Sequence, residues 1–210
     1  MTKTPAILTN IENFKDNHLL ITIYSTNYGK KSLVVFGGKS KKRNSNYIKG
    51  LVNEIEFNKD NSCLNSTSLH TFNWFLYDKY RLKTVDYICF LINKLIFLEE
   101  ENSNILHYYI NLISKMNSSE SYISELLLLE LEILKISGYQ PDLNQNVLSK
   151  ILIGLDLKNL STNEEIVLKI GSNLELQKHF FDFLGKVISR VLINLNINLP
   201  FSRSEIIKKN

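Results

Sequence analysis

Between residues 30 and 49 the chain carries seven cations, Lys30, Lys31, Lys39, Lys41, Lys42, Arg43 and Lys49, and no acid. Tyr24, Tyr28 and Tyr47 are interleaved with them. Fixed positive charge beside aromatic rings suits a polyanion that carries bases, because cations neutralise phosphates and rings stack on bases. Residues 1–60 hold ten Lys/Arg against five Asp/Glu, and residues 61–210 hold fifteen against sixteen. The net charge of +4 is therefore supplied by the first third, an asymmetry that points to a polyanionic partner. Lys39, Lys41, Lys42 and Arg43 are the first candidates for phosphate contacts. Lys30, Lys31 and Lys49 follow, with Tyr28 and Tyr47 as candidate stacking rings.

Other chemistries find little support. GGKS at 37–40 ends like a Walker phosphate loop, but that motif needs a glycine five residues before Gly38, where Leu33 stands. His18, His70, His107 and His179 are scattered without metal-ligand spacing. Cys63 and Cys89 form neither a CxxC pair nor a disulfide framework, which fits a reduced, cytoplasmic setting. The glutamates at 99–101 read as a solvated helix end. The expectation is a non-enzyme with no metal and no cofactor. It is also not a membrane protein: the N-terminus lacks an apolar signal segment, and the apolar run 122–136 is broken by Glu125, Glu130, Glu132 and Lys135. That run reads as a buried helix.

The elements that must position the basic stretch are β-strands. PAILTNI, HLLITIYS, KSLVVFG and LVNEIEFN are short runs of β-branched and aromatic residues, and CLNSTSL could add a fifth. TNYGKK, with Asn27 and Gly29, predicts a hairpin turn, and Asp60 to Ser62 predict another. Five strands in about 70 residues suggest a closed barrel, since closure removes exposed edges. Small barrels of this size commonly bind oligonucleotides. From about Trp74 the apolar period lengthens to that of helices. Val85, Ile88, Cys89, Ile92, Leu95 and Ile96 form one stripe, and Ile105, Tyr108, Tyr109, Leu112 and Ile113 another. A helix over 120–137 should end at Gly138, and Ser161 with Glu164 fits a capping box. Over 173–196, Phe180, Leu184, Val187, Val191 and Leu195 share a face, and Ser202 with Glu205 would cap a last short helix. The fold class is α+β, with a barrel over 1–70 and an all-helical domain over 71–210.

The run from Ile7 to Leu51 resembles the opening of the bacterial RecO family, with Thr26, Tyr28, Gly29 and Lys30 at its turn. Gly37, Gly38, Lys39, Lys41, Lys42 and Arg43 fit its basic loop. LLELEILKISGYQPDL at 128–143 and the C-terminal LPFSRSEII are similar to two further segments of that family. The resemblance implies an OB-fold barrel and non-catalytic work in DNA repair: binding single- and double-stranded DNA and annealing complementary strands. It implies partners too, namely RecR, the C-terminal tail of single-strand-binding protein, and RecA indirectly. Many relatives place zinc-binding cysteines after the Gly-Tyr-x-Pro segment. Here that stretch reads NQNVLSKILIGL, so the chain resembles a zinc-less branch. Lys178, Lys186 and Arg190 share a helix face that could receive an acidic tail. Two other readings remain open, an RNA-binding OB module and a protein adaptor whose basic loop is incidental.

Overall fold

A computed structural model describes residues 1–69, 78–97, 103–118, 121–141, 143, 162–171, 173–199 and 203. The strands are β1 (Thr2–Phe14), β2 (His18–Ser25), β3 (Gly29–Val35), β4 (Val52–Phe57) and β5 (Ser62–Ser68). They close a barrel in the order β1-β2-β3-β5-β4, antiparallel throughout except where β3 meets β5. This is an OB-fold barrel. Closure requires a strand to serve two neighbours at once. β1 does so by pairing with β4 through residues 2–7 and with β2 through residues 6–14, with a register shift between Leu8 and Asn10. A bulge of that kind bends a strand without ending it. Inside lie Leu8, Ile21, Ile23, Leu33, Val35 and Ile55, while Ile7, on the opposite face of β1 and paired with Tyr24, is buried on the outer side.

A single helical turn, α1 (Lys41–Asn44), lies between β3 and β4. Five longer helices follow among the described residues: α2 (Lys79–Leu95), α3 (Ser103–Asn117), α4 (Ile123–Ile136), α5 (Asn163–Gly171) and α6 (Leu174–Asn194). α4 is apolar on nearly every side because it is the central helix of this domain, packing against α2, α3, α5 and α6. Its predicted stop is observed. Gly138 adopts φ +77, and Tyr139 N donates to Leu134 O at 2.8 Å. The capping box falls one residue later than its expected place: Glu165 N donates to Thr162 Oγ1, and Thr162 N donates to Glu165 Oε2. Leu195, assigned to the apolar face of the last long helix, is 38% exposed, and the buried stripe there includes Phe181, Ile188 and Leu192 instead. Ser202, Glu205 and the segment 144–161 lie outside the described residues.

Polar contacts join barrel to helices. Thr9 Oγ1 donates to Asn93 Oδ1 at 2.8 Å, while Asn93 Nδ2 donates back to Thr9 O at 2.9 Å. Tyr109 Oη donates to Gly50 O at 2.7 Å in full burial. Lys30 Nζ donates to Asn93 O and Ile96 O, so an ammonium caps the carbonyl end of α2. Because unmet buried polar groups are costly, these bonds hold α2 in one register on β1 and β3. They thereby cover the outer face of β3 at its start.

Candidate nucleic-acid interface

The basic loop leaves β3 at the same end of the barrel as the β1–β2 and β4–β5 turns. Lys39 N donates to Asn17 O at 3.2 Å, and Lys39 Nζ donates to Asp16 O at 2.7 Å, both in the β1–β2 turn. Val34 N donates to Asn61 O at 2.9 Å, which brings in the β4–β5 turn. The parallel β3–β5 contact, Val34 with Ser62 and Val35 with Cys63, makes this convergence a consequence of topology. Lys39 and Arg43 therefore share one end with Lys15 and Lys59, two exposed turn cations. Asp60 is also at this end, but its carboxylate accepts from Ser62 Oγ at 2.6 Å and Ser62 N at 3.0 Å. Those bonds hold its pKa below the usual value.

The seven sequence-assigned cations do not act as one group. Lys30 is only 9% exposed and is committed to the end of α2, so its place among the DNA-contacting cations is corrected. Lys49 Nζ lies 2.8 Å from Asp86 Oδ1 on α2, so its charge is already partnered. Lys31 sits near the start of β3, with its ammonium 6.0 Å from the centroid of the Phe57 ring. The backbones of Lys41 and Lys42 form α1, and their side chains lie outside the described part of the structure.

The two tyrosines also separate. Tyr47 is 6% exposed, and its hydroxyl lies 3.7 Å from Cys63 Sγ. Burial foremost, then Cys63, pushes its pKa above the ordinary phenol value. A ring in that position cannot meet a base, which corrects its assignment as a stacking residue. Tyr28 is 36% exposed and meets Phe57 edge-on at 5.5 Å. It precedes β3 and the basic loop follows β3, so the two stand roughly 25–30 Å apart along the strand at ~3.3 Å per residue.

An exposed aromatic does stand at the basic end, and it was not among the rings assigned from sequence. Phe36, the first residue after β3, is 54% exposed. Arg43 Nη1 donates to its carbonyl at 2.8 Å, and the His18 ring meets its ring edge-on at 5.0 Å. In the sequence Phe36 reads as the apolar end of a core strand. Strand parity was the available signal: Leu33 and Val35 point inward, so Phe36 points out.

On α6, Lys186 and Arg190 line a groove of about 570 Å³ with Phe181, Ile193, Leu199 and Arg203. Lys178 is exposed on the same helix but does not line that groove. Arg203 forms the groove's inner wall, where its guanidinium donates to the buried carboxylate of Glu130 and lies 3.3 Å from the centroid of the Phe181 ring.

Fold and surface together define a class: an OB-fold barrel with a basic end, joined to an all-helical domain. Residues 76–163 match the family described as Recombination protein O C terminal. The chain is also 27% identical over 150 residues to the DNA repair protein RecO of Rickettsia canadensis (strain McKiel). That similarity covers 65% of this chain and 58% of the relative, so the chain spans less than two thirds of that protein's length. Over these parts of its length the chain is similar to RecO proteins. No helix among the described residues is long and apolar enough to cross a membrane.

Proposed function

We propose that this protein is a non-catalytic DNA-binding and strand-annealing factor of DNA repair and recombination, and that the basic end of its barrel holds the phosphates of single-stranded DNA. The observation that carries this reading is the convergence of Lys15, Lys39, Arg43 and Lys59 from three separate connections onto one end of an OB barrel. Lys41 and Lys42 belong to the same loop in sequence. The outer face of β1 and β4 has a different character: Lys3 is taken up there by Glu54 at 2.7 Å and Glu56 at 3.6 Å. Neutralising phosphates on two strands removes the main repulsion to pairing them, and released counterions supply affinity. Double-stranded DNA would meet the same cations through its backbone.

The similarity to RecO proteins supports the wider role, in which the protein acts with RecR and helps RecA load onto DNA covered by single-strand-binding protein. The α6 groove fits the acidic, aromatic-ended tail of that last partner. Lys186 and Arg190 would take the carboxylates, and Ile193 and Leu199 would take the apolar end.

The test is a salt titration of oligonucleotide binding, paired with an annealing assay. Six cations, Lys15, Lys39, Lys41, Lys42, Arg43 and Lys59, would give a slope of log K against log[salt] of about −4 on single strands, at roughly −0.7 per contact. Changing Lys39, Lys41, Lys42 and Arg43 to Glu should flatten it by about 3 and abolish annealing while the fold persists. An unchanged slope in the folded variant would overturn the proposal. Tighter binding to RNA of the same sequence would instead move it to the RNA-binding reading.

A further inference from the structure

We infer that Phe36 is a base-stacking platform, and that it makes the basic end of the barrel an acceptor for unpaired nucleotides. The inference rests on the DNA-binding reading above and adds to it the group that reads a base instead of a phosphate.

Four observations place the ring. First, it is presented outward. Leu33 and Val35 fill the barrel, and Phe36 follows them on the opposite parity with more than half its surface in water. Second, it is held. Gly37 adopts φ +66, which turns the chain sharply after Phe36, and Gly37 N donates to His18 Nδ1 at 3.1 Å. Gly38 then packs so closely that a Cβ there would come within 3.0 Å of Leu19 and Val35 side-chain atoms. The backbone just after Phe36 is thus held twice, by this turn and by the Arg43 bond to the Phe36 carbonyl. Third, its ring has one aromatic neighbour among the described residues. The His18 ring meets it at 5.0 Å with an interplanar angle of 77°, an edge-to-face arrangement that braces the ring.

Fourth, it stands among cations. Arg43 bonds its own carbonyl, and Lys39 is three residues on, bonded to the β1–β2 turn. Other exposed apolar side chains, such as Leu174 and Leu168 at 76% and 69%, sit on helices away from this loop. Isolated exposed apolar residues are common and need no explanation. A braced aromatic ring beside phosphate-binding charges matches the stacking platforms of proteins that bind single strands. In a duplex the base faces are already stacked, so the ring adds affinity only for unpaired nucleotides.

The experiment compares binding of two single-stranded probes of equal length, a normal oligonucleotide and an abasic backbone, at several salt concentrations. Phe36→Ala should weaken binding of the normal probe about 5- to 150-fold, the range for loss of one stacked base. It should leave the abasic probe, a duplex of the same length and both salt slopes unchanged. Phe36→Leu, which keeps apolar bulk without a π face, should lose as much as Phe36→Ala. Phe36→Trp should retain affinity, and its added emission should be quenched by the normal probe and not by the abasic one. Thermal unfolding should be unaltered in all three, since the ring is largely outside the core.

If Phe36→Ala and Phe36→Leu bind the normal probe as the parent does, while reversal of Lys39 and Arg43 weakens both probes, stacking is refuted and the phosphate reading stands. If neither set of changes alters binding, both fall together. Equal weakening of both probes by Phe36→Ala would also refute stacking, because the loss would then lie in loop geometry.

Discussion

Arg203 is the only described residue beyond Leu199, and it reaches into the middle of the helical domain. Its Nε donates to Glu130 Oε1 at 2.8 Å, and its Nη2 is bonded to Glu130 Oε2, a two-pronged guanidinium–carboxylate contact. Tyr87 Oη donates to the same carboxylate at 2.7 Å, and Arg203 Nη1 donates to Phe181 O. Glu130 is fully buried on α4 and Arg203 is 8% exposed. Removing one partner of such a pair leaves a buried charge without its counter-ion and costs about 3–5 kcal/mol. A domain of this size loses roughly 2–4 °C of melting temperature per kcal/mol. Arg203→Ala should therefore lower Tm by about 6–20 °C, measured by calorimetry or circular dichroism, out of a total stability usually near 5–15 kcal/mol. Adding Glu130→Gln should recover part of the loss, because a neutral amide still accepts from Tyr87 without stranding a charge. Arg203→Lys should rescue poorly, since an ammonium cannot supply the planar fork. A loss below about 1 kcal/mol for Arg203→Ala would refute the reasoning, because it would mean that Glu130 is solvated or neutral in the folded chain.

Two further outcomes separate anchoring cations from binding cations. Lys30→Met should cost about 2–3 kcal/mol in urea unfolding, the worth of hydrogen bonds from a charged group to the last carbonyls at the end of α2. The same change should leave the DNA salt slope untouched, and a flatter slope would return Lys30 to the interface. In the α6 groove, Lys186→Glu with Arg190→Glu should weaken an acidic peptide ending in Phe at least tenfold by fluorescence anisotropy. Lys178→Glu should do much less, and an equal loss from Lys178→Glu would show that the attraction is diffuse and does not belong to the groove.

Local pattern determined a great deal here. Runs of β-branched and aromatic residues cut by Asn27, Gly29 and Asp60 specify strands and turns within a few residues of themselves. Gly138 stops α4 because a left-handed residue ends a helix wherever it stands. The charge of the 39–43 loop is equally local, and so is the period of the helical stripes. What the sequence could not convey was which neighbours share space across tens of residues. Lys30 and Lys39 look alike in sequence, yet α2 comes back over the start of β3 and takes Lys30 as its cap, while Lys39 stays at the open end. Tyr47 and Phe36 exchanged their expected places for the same reason. α1 returns the chain to β5 and buries Tyr47 against Cys63, whereas Gly37 turns the chain just after β3 and leaves Phe36 outside. Lys15 reached the basic end through the antiparallel pairing of β2 with β3, and Lys59 joined it only because barrel closure sets β5 beside β3. Burial and charge pairing depend on long-range packing, and only the folded chain decides them.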